Sequence, residues 1–579
     1  MLAKLGPRYS NHLVWLLLAT LCGISFFWRL GANGIWDLDE ALYVESAREM
    51  HLSGDYVTPR VNAEPFFEKP PLIYWEAATL FKVFGSSELP ARLPSALASA
   101  VVVVLVFVAG KRAFGKRAGV MAAVFYSVCP LVFGTSRQLT TDATLNLCIF
   151  GALTSLFLVS VRDEATEPEK GSLLRRFLPY TFWICCALGV LAKGLPGILI
   201  PLVVGVLYYG FVEKWNVRRI LNACRRMHPG TGILLFFLVA APWHVAALRA
   251  SGPAFTDEYI IRQHLARFRG GDTAHQAPFW FFVPGFFVGF FPLSLFVPGA
   301  LLDRKLYFDD YGRLDVPNRF RILLKVWFCV VFIMFSAAGS KLISYILPLY
   351  PAAALLAGDW CTQRMESPEG IRSLKKGAGF GLVLSSLLLG VLLFRDSVIQ
   401  YIESLSHKPV RLDQIPTGTF EWATHLFLAI TLAMAVFLAF LFVRRPNRAF
   451  GALAAGMTLF TGIAVVEGLP VINGSLVAPL QRMATIAGQT AEKDNSPIAL
   501  YIGPPRRPST LFYLPDSIVR QKGAIKELMD PKDEYANIDA FLAANPHAVV
   551  VTDVRRVTHL LEAGMRVTAR AGDWHVLVR

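Results

Sequence analysis

Long apolar runs separated by short polar or basic stretches fill the first 470 residues. Runs able to cross about 30 Å of hydrocarbon fall near residues 13–30, 93–110, 118–135, 143–161, 177–192, 195–212 and 231–248. Further runs fall near 279–301, 322–338, 343–358, 377–394, 421–443 and 449–467, which predicts thirteen membrane helices. Beyond 470 the period shortens. "IALYIG", "SIVRQ", "HAVVVTD", "VTARA" and "WHVLVR" read as strands, and "NIDAFLAAN" and "VRRVTHLLEAG" as helices. The expected fold is a mostly α polytopic membrane protein, with residues 1–469 in the membrane part and 470–579 as a small α/β domain.

Charge orients this pattern. Every second loop is basic: "KRAFGKR" at 111, "RDEATEPEKGSLLRR" at 162, "EKWNVRRILNACRR" at 213, "DRKLYFDDYGRLDVPNRFR" at 303, "RMESPEGIRSLKK" at 364 and "RRPNR" at 444. Short cytoplasmic loops are rich in Lys and Arg, so the N-terminus is expected inside and the C-terminus outside. The first run, "HLVWLLLATLCGISFFW", follows Lys4 and Arg8 like a signal peptide but lacks a small-x-small cleavage site; it reads as a retained span. The outer loops are then 31–92, 136–142, the link around Lys193, 249–278, 337–342 and 395–420.

Composition agrees and narrows the function. The 579 residues are 54% hydrophobic and only 17% charged, with a mean hydropathy of +0.47. The net charge of +15 lies in short clusters between apolar runs rather than on one basic face, so no nucleic-acid partner is expected. Eight cysteines fall in spans or inner loops without CxxC spacing, and no Gly-rich phosphate loop appears. No nucleotide or organic cofactor is expected. Internal repeats and paired interrupted helices, the marks of a secondary transporter, are also missing from the sequence.

The outer loops hold the unusual polar chemistry. The loop 31–92 is too long to be a bare connection. "GANGIWDLDEALYVESAREM" suits a helix from Leu38 to Ser53 ended by Gly54, with Leu42, Ala47 and Met50 on an apolar side able to lie on the bilayer. A second amphipathic helix is expected from Pro71 in "FEKPPLIYWEAATLFKVFG". Asp37 suits an N-cap, and Glu40 completes something close to a capping box. Asp39 has no such task. In "FFEKPP" the prolines stiffen the backbone that presents Glu68 and Lys69.

Four more charged positions stand where hydropathy alone would not put them: Arg137, Lys193 in "LAKGLPG", Lys341 in "GSKLISYILPLYP", and Asp142 in "TTDATLN". Lys193 either faces a cavity or snorkels to the headgroups. Asp142 either caps its helix or serves the same cavity. "DEYIIRQHLARFRGG" adds His264, Arg267 and Arg269, without the HxxxH spacing of a zinc site. Together these positions describe an outward cavity of carboxylates and cations, suited to an anionic lipid headgroup whose tail stays in the bilayer.

The ordered set "WDLDEALY", "FEKPPLIYW", "TTDA", "AKGLPG", "QHLARF" and "SKLISYILPLYP" resembles the lipid A aminoarabinose transferases and the wider protein-mannosyltransferase-like GT-C glycosyltransferases. The resemblance implies an inner-membrane enzyme that moves a sugar, 4-amino-4-deoxy-L-arabinose, from polyprenyl (undecaprenyl) phosphate to lipid A on the periplasmic face, with inversion. Relatives that move galacturonic acid or mannose, or act on protein Ser/Thr, share much of the pattern. A lipid or sugar transporter is the non-catalytic alternative. By position, the resemblance makes Asp39 and Asp142 the functional acids. It gives Lys69, Lys193, Arg267 or Arg269, and Tyr345 to the lipid phosphate, and Glu68 and His264 to a divalent metal.

Overall fold

The computed structural model describes residues 7–161, 173–266, 276–303, 314–399, 418–503, 506–521, 523–528 and 534–579. Helix α1 (Pro7–Cys22) leads through a π turn into the first long loop, which holds α2 (Asp39–Ser53), a hairpin of β1 (Arg60–Val61) and β2 (Glu64–Pro65), and α3 (Leu72–Phe84). There follow α4 (Glu88–Phe114), α5 (Lys116–Ser127), α6 (Pro130–Ser136), α7 (Thr141–Ser160), α8 (Leu173–Lys193), α9 (Pro196–Val212), α10 (Val217–Arg225) and α11 (Pro229–Ser251). Among the described residues seven helices are long and apolar enough to cross a membrane, or nine if each of two bent pairs forms one span. The protein is a multi-pass membrane protein.

The bent pairs depart from the straight spans expected at 118–135 and 279–301. The axis turns by 59° between α5 and α6, and by 117° between Phe279–Gly289 and Leu293–Leu302. Pro130 stands at the first break and Pro292 at the second. Proline removes a helical N–H and crowds the preceding turn, which periodicity alone does not register.

The last apolar helix does not stop at residue 470. A helical run continues from Pro446 to Asp494, and its final part, Ala478–Asp494, lays Leu480, Met483 and Ala487 on Ile498, Leu500, Val549 and Val551. These belong to a five-stranded sheet of order β4-β3-β5-β7-β6. β3 (Ile498–Tyr501) runs parallel to β4 (Ile525–Glu527) and β5 (Val549–Asp553), while β7 (Trp574–Val578) is antiparallel to β5 and β6 (Arg566–Ala571). "SIVRQ" is not a strand: Asp516–Val519 forms a helical turn directly after Pro515. The three-residue β4 has too short a pattern to read.

Helix α2 spans Asp39–Ser53 and ends on Gly54, whose φ of +71° favours glycine. It does not lie on the bilayer. Ala47 and Met50 are buried against Ile73, Ala77 and Phe81 of α3, and Phe512 closes the same cluster. Arg48, fully buried, donates to the carbonyls of Leu511, Phe512 and Leu514 at 2.7–2.9 Å and pairs with Asp516 at 2.9 Å. The helix is therefore clamped between the outer loop and the segment below the sheet.

Replacing Arg48 with Met strands three carbonyls, and leaves Glu45, whose carboxyl burial already pushes up to about 7, without its cation. We expect a loss of about 2–4 kcal/mol. Limited proteolysis should then cut between Asn495 and the sheet well before the membrane helices; an unchanged digestion rate would show that Arg48 does not hold this junction.

Candidate active site

The three acids of "WDLDEA" have three different fates. Leu38, not Asp37, is the N-cap of α2, and no side chain caps this end. Asp37 instead accepts hydrogen bonds from the backbone N–H and hydroxyl of Ser509, both at 2.9 Å. Glu40 is buried, receives the Trp36 N–H at 2.9 Å and forms a two-pronged pair with Arg92 at 2.7 and 3.0 Å. Asp39 makes no hydrogen bond or ion pair among the described residues, and its electrostatic neighbours are Glu68, Lys69, Lys193 and Asp142.

Those four arrive from three separate segments. Glu68 and Lys69 precede α3, whose N-cap is Pro71, and their side chains pair at 2.8 Å. Lys193 ends α8, and the "AKGLPG" turn explains itself: Gly194 takes φ +75°. A Cβ on Gly197 would fall 2.1 Å from the Gly189 backbone, so only glycine lets α8 and α9 meet this closely. The turn aims Lys193 at Asp142, in the first turn of α7, and the two form an ion pair. Asp142 thus pairs with Lys193 rather than capping α7. The Lys193 ammonium also lies 4.4 Å from the ring centre of Tyr345, held by the 3-10 turn Ile343–Leu349.

Glu68, Lys69, Lys193 and Tyr345 line one cavity of about 170 Å³. Its other wall is apolar: Leu195, Pro196, Leu199, Met334, Phe335 and Ala338. Leu195 and Leu199 are 54% and 36% exposed, so the apolar wall continues onto the outside of the helices. Asp39 is exposed at the residue surface and is not among the residues that line this cavity, yet its pKa is raised. Desolvation leads, then the Glu68 charge, and together they outweigh Lys69 and Lys193.

Arg137 serves the frame instead: it donates to the carbonyls of Ser25 and Trp28 and stacks on Phe133. Lys341, also buried, donates to the carbonyl of Ala338 at 2.5 Å. Arg267 and Arg269 lie outside the described residues, as does the side chain of His264. Among the described residues no group of three or more His, Cys, Asp or Glu converges, and the Glu68 carboxylate pairs with the Lys69 ammonium.

Two groups escaped the sequence reading. Gln263 lines the cavity and donates to Glu258 at 2.6 Å, and its buried amide oxygen has no hydrogen bond among the described residues. Glu76 on α3 accepts the Thr144 hydroxyl at 3.0 Å, and burial pushes its carboxyl up to about 7. An acid inside the apolar stretch "LIYWEAATL" was the available signal.

Residues 68–245 match the family model described as dolichyl-phosphate-mannose-protein mannosyltransferase. Undecaprenyl phosphate-alpha-4-amino-4-deoxy-L-arabinose arabinosyl transferases are similar in sequence. That of Aeromonas hydrophila is 30% identical over 381 residues, 65% of each chain. That of Pseudomonas paraeruginosa is 28% identical over 395 residues, 68% of each chain. The alignments thus span about two thirds of these relatives. The crystal structure of ArnT from Cupriavidus metallidurans bound to undecaprenyl phosphate superposes with a TM-score of 0.76 at 24% identity, covering 97% of both chains. The chain thus has the fold of the ArnT crystal structure and is similar in sequence to these arabinosyl transferases and, over residues 68–245, to the mannosyltransferase family.

Proposed function

We propose that the protein transfers 4-amino-4-deoxy-L-arabinose from polyprenyl (undecaprenyl) phosphate to lipid A, on the periplasmic face of the bacterial inner membrane. One observation carries this reading: two lysines end a cavity whose apolar wall runs out to the exposed Leu195 and Leu199. A donor with a phosphate head and a hydrocarbon tail matches both parts. The names of the relatives supply the sugar.

In the transfer, an acceptor oxygen attacks the anomeric carbon from the face opposite the phosphate. The C–O bond to the phosphate breaks, and its electron pair leaves with the phosphate. Lys69 and Lys193 stabilise that developing charge, and Glu68 and Asp142 hold the two ammonium groups in place before the donor arrives. An acceptor hydroxyl loses its proton to Asp39 as general base; an already ionised lipid A phosphate needs none, and Asp39 then positions the reactants. Arg267 or Arg269 would add a further cation to the phosphate.

The arrangement in the membrane belongs to the same proposal: thirteen spans, a cytoplasmic N-terminus, and residues 470–579 as a periplasmic α/β domain. The alternation of basic loops supports it. Purified protein given polyprenyl-phosphate aminoarabinose and lipid A should yield aminoarabinose-modified lipid A by mass spectrometry. In a deletion strain that mass increment should vanish from lipid A. Loss of a hexuronic acid increment would reassign the donor sugar, and unchanged lipid A with altered glycoproteins would reassign the acceptor.

A further inference from the structure

Three helices that deliver residues to the transfer site also meet at their other ends. Helix α7 begins beside Asp142 and ends at Ser160, α9 begins at Pro196 and ends at Val212, and helix Val316–Ala337 carries Phe335 at one end and Arg319 near the other. At 1.5 Å per residue each covers about 25 Å between these points, the depth of the hydrocarbon layer. Their far ends enclose a second cavity of about 150 Å³, lined by Ser160, Tyr209, Glu213, Arg219, Asn222, Arg226 and Arg319, with Val212 and Ala223.

The chemistry of this cavity is that of an anion site. Its described lining holds three guanidinium groups and one carboxylate, that of Glu213. Arg319 is 8% exposed and is fixed by an Nε hydrogen bond to the Leu314 carbonyl at 2.9 Å. Tyr209 is 3% exposed, and its hydroxyl has no hydrogen-bond partner among the described residues. A buried hydroxyl is normally satisfied; here it lines a cavity with room for an acceptor. Arg219 stands on α10 and Arg226 is its C-cap; the first turn of this short helix is fixed by the Asn216 side chain accepting the Arg219 N–H at 3.2 Å.

The surroundings say where the anion comes from. Phe211, Trp215, Val217 and Leu221 flank the cavity in sequence and are each more than half exposed, as residues at a membrane boundary are. We propose that this cavity binds the phosphate of an anionic lipid headgroup at the membrane face opposite the transfer site, the guanidinium groups holding the phosphate oxygens and the Tyr209 hydroxyl donating to one of them. Guanidinium forks match phosphate geometry, and basic pockets between helices near a membrane boundary recognise such headgroups.

The test is native mass spectrometry of the full chain, released from detergent after mixing with phosphatidylglycerol or phosphatidylcholine. Phosphatidylglycerol should be retained in preference. The double variant Arg219→Glu/Arg226→Glu, altered at exposed positions, should weaken retention of one lipid by about tenfold or more, and Tyr209→Phe by a few-fold. Sugar transfer in detergent should be unchanged in both, because the residues stand about 25 Å from the reacting atoms. Millimolar inorganic phosphate should not displace the lipid; displacement would assign the site to free phosphate and overturn the lipid reading. Equal retention by wild type and the double variant would overturn the site altogether.

Discussion

Asp39→Asn is expected to lower sugar transfer by about 10²–10⁴-fold, the range for losing a positioned general base, while leaving the fold intact. Asp39 touches no partner whose loss would strand a buried group. The sign of its pKa shift sharpens this expectation. Desolvation and Glu68 hold its folded pKa above that of a solvated carboxylate, so the ionised form is disfavoured by folding at neutral pH. Removing the charge should leave thermal stability unchanged or slightly higher, the opposite of what a structural acid would show. The same shift sets the pH profile: transfer that needs the carboxylate ionised falls on the acid side through the raised pKa, at higher pH than an ordinary carboxylate would give. Asp39→Asn should abolish that limb along with most of kcat/KM. Full activity in the variant would remove Asp39 from the mechanism; a residual rate that keeps the wild-type acid limb would assign the limb to another group.

The opening acids show how far the sequence could be read. That Asp39 lacked a local task was legible, because an acid at the start of a helix has few local partners and Asp37 and Glu40 took the obvious ones. What those two do was not legible. Asp37 bonds to Ser509 and Glu40 to Arg92, residues 472 and 52 positions away, and capping rules see only the nearest turn. The burial of α2 was missed for the same reason: Leu42, Ala47 and Met50 marked an apolar face, but whether lipid or protein covers such a face is a tertiary fact. Lys193 was readable because an ammonium between two apolar runs is costly without a partner, although the partner, Asp142, was not. Gln263 breaks no periodic pattern and so was not legible, whereas Glu76 had one signal, an acid inside an apolar stretch.

The pairing of Lys69 with Glu68 and of Lys193 with Asp142 has a mechanistic consequence. Each ammonium reaches its working position already compensated, which spares the protein two uncompensated charges beside an apolar wall. On the proposed mechanism an arriving phosphate would meet cations whose geometry is set by the pair rather than by the ligand, so little reorganisation would accompany charge development. The cost is that two acids stand near Asp39, whose pKa is raised first by desolvation and then by the Glu68 charge.

Arg92→Met is expected to destabilise the protein by about 3–5 kcal/mol, the range for stripping one partner from a buried ion pair. Its side chain is 2% exposed and joins four pieces of chain. It pairs with Glu40 on α2 and donates to the carbonyls of Leu30, Asn33 and Gly34 at 2.7–3.1 Å. Glu40 in turn receives the Leu139 N–H at 3.2 Å from the link before α7. The guanidinium therefore fixes where the first outer loop leaves the membrane and how α2 presents Asp39 toward Asp142. Arg92→Lys should not rescue stability, since one ammonium cannot replace a fork that serves a carboxylate and three carbonyls. Glu40→Gln/Arg92→Met should be less destabilising than the sum of the single changes, because the second substitution removes the charge the first one strands. Thermal unfolding in detergent, followed by intrinsic fluorescence, measures all four variants against wild type. If Arg92→Met shifts the midpoint no more than a surface substitution does, the Glu40–Arg92 node does not hold the loop, and the orientation of Asp39 must come from the packing of α2 on α3 instead.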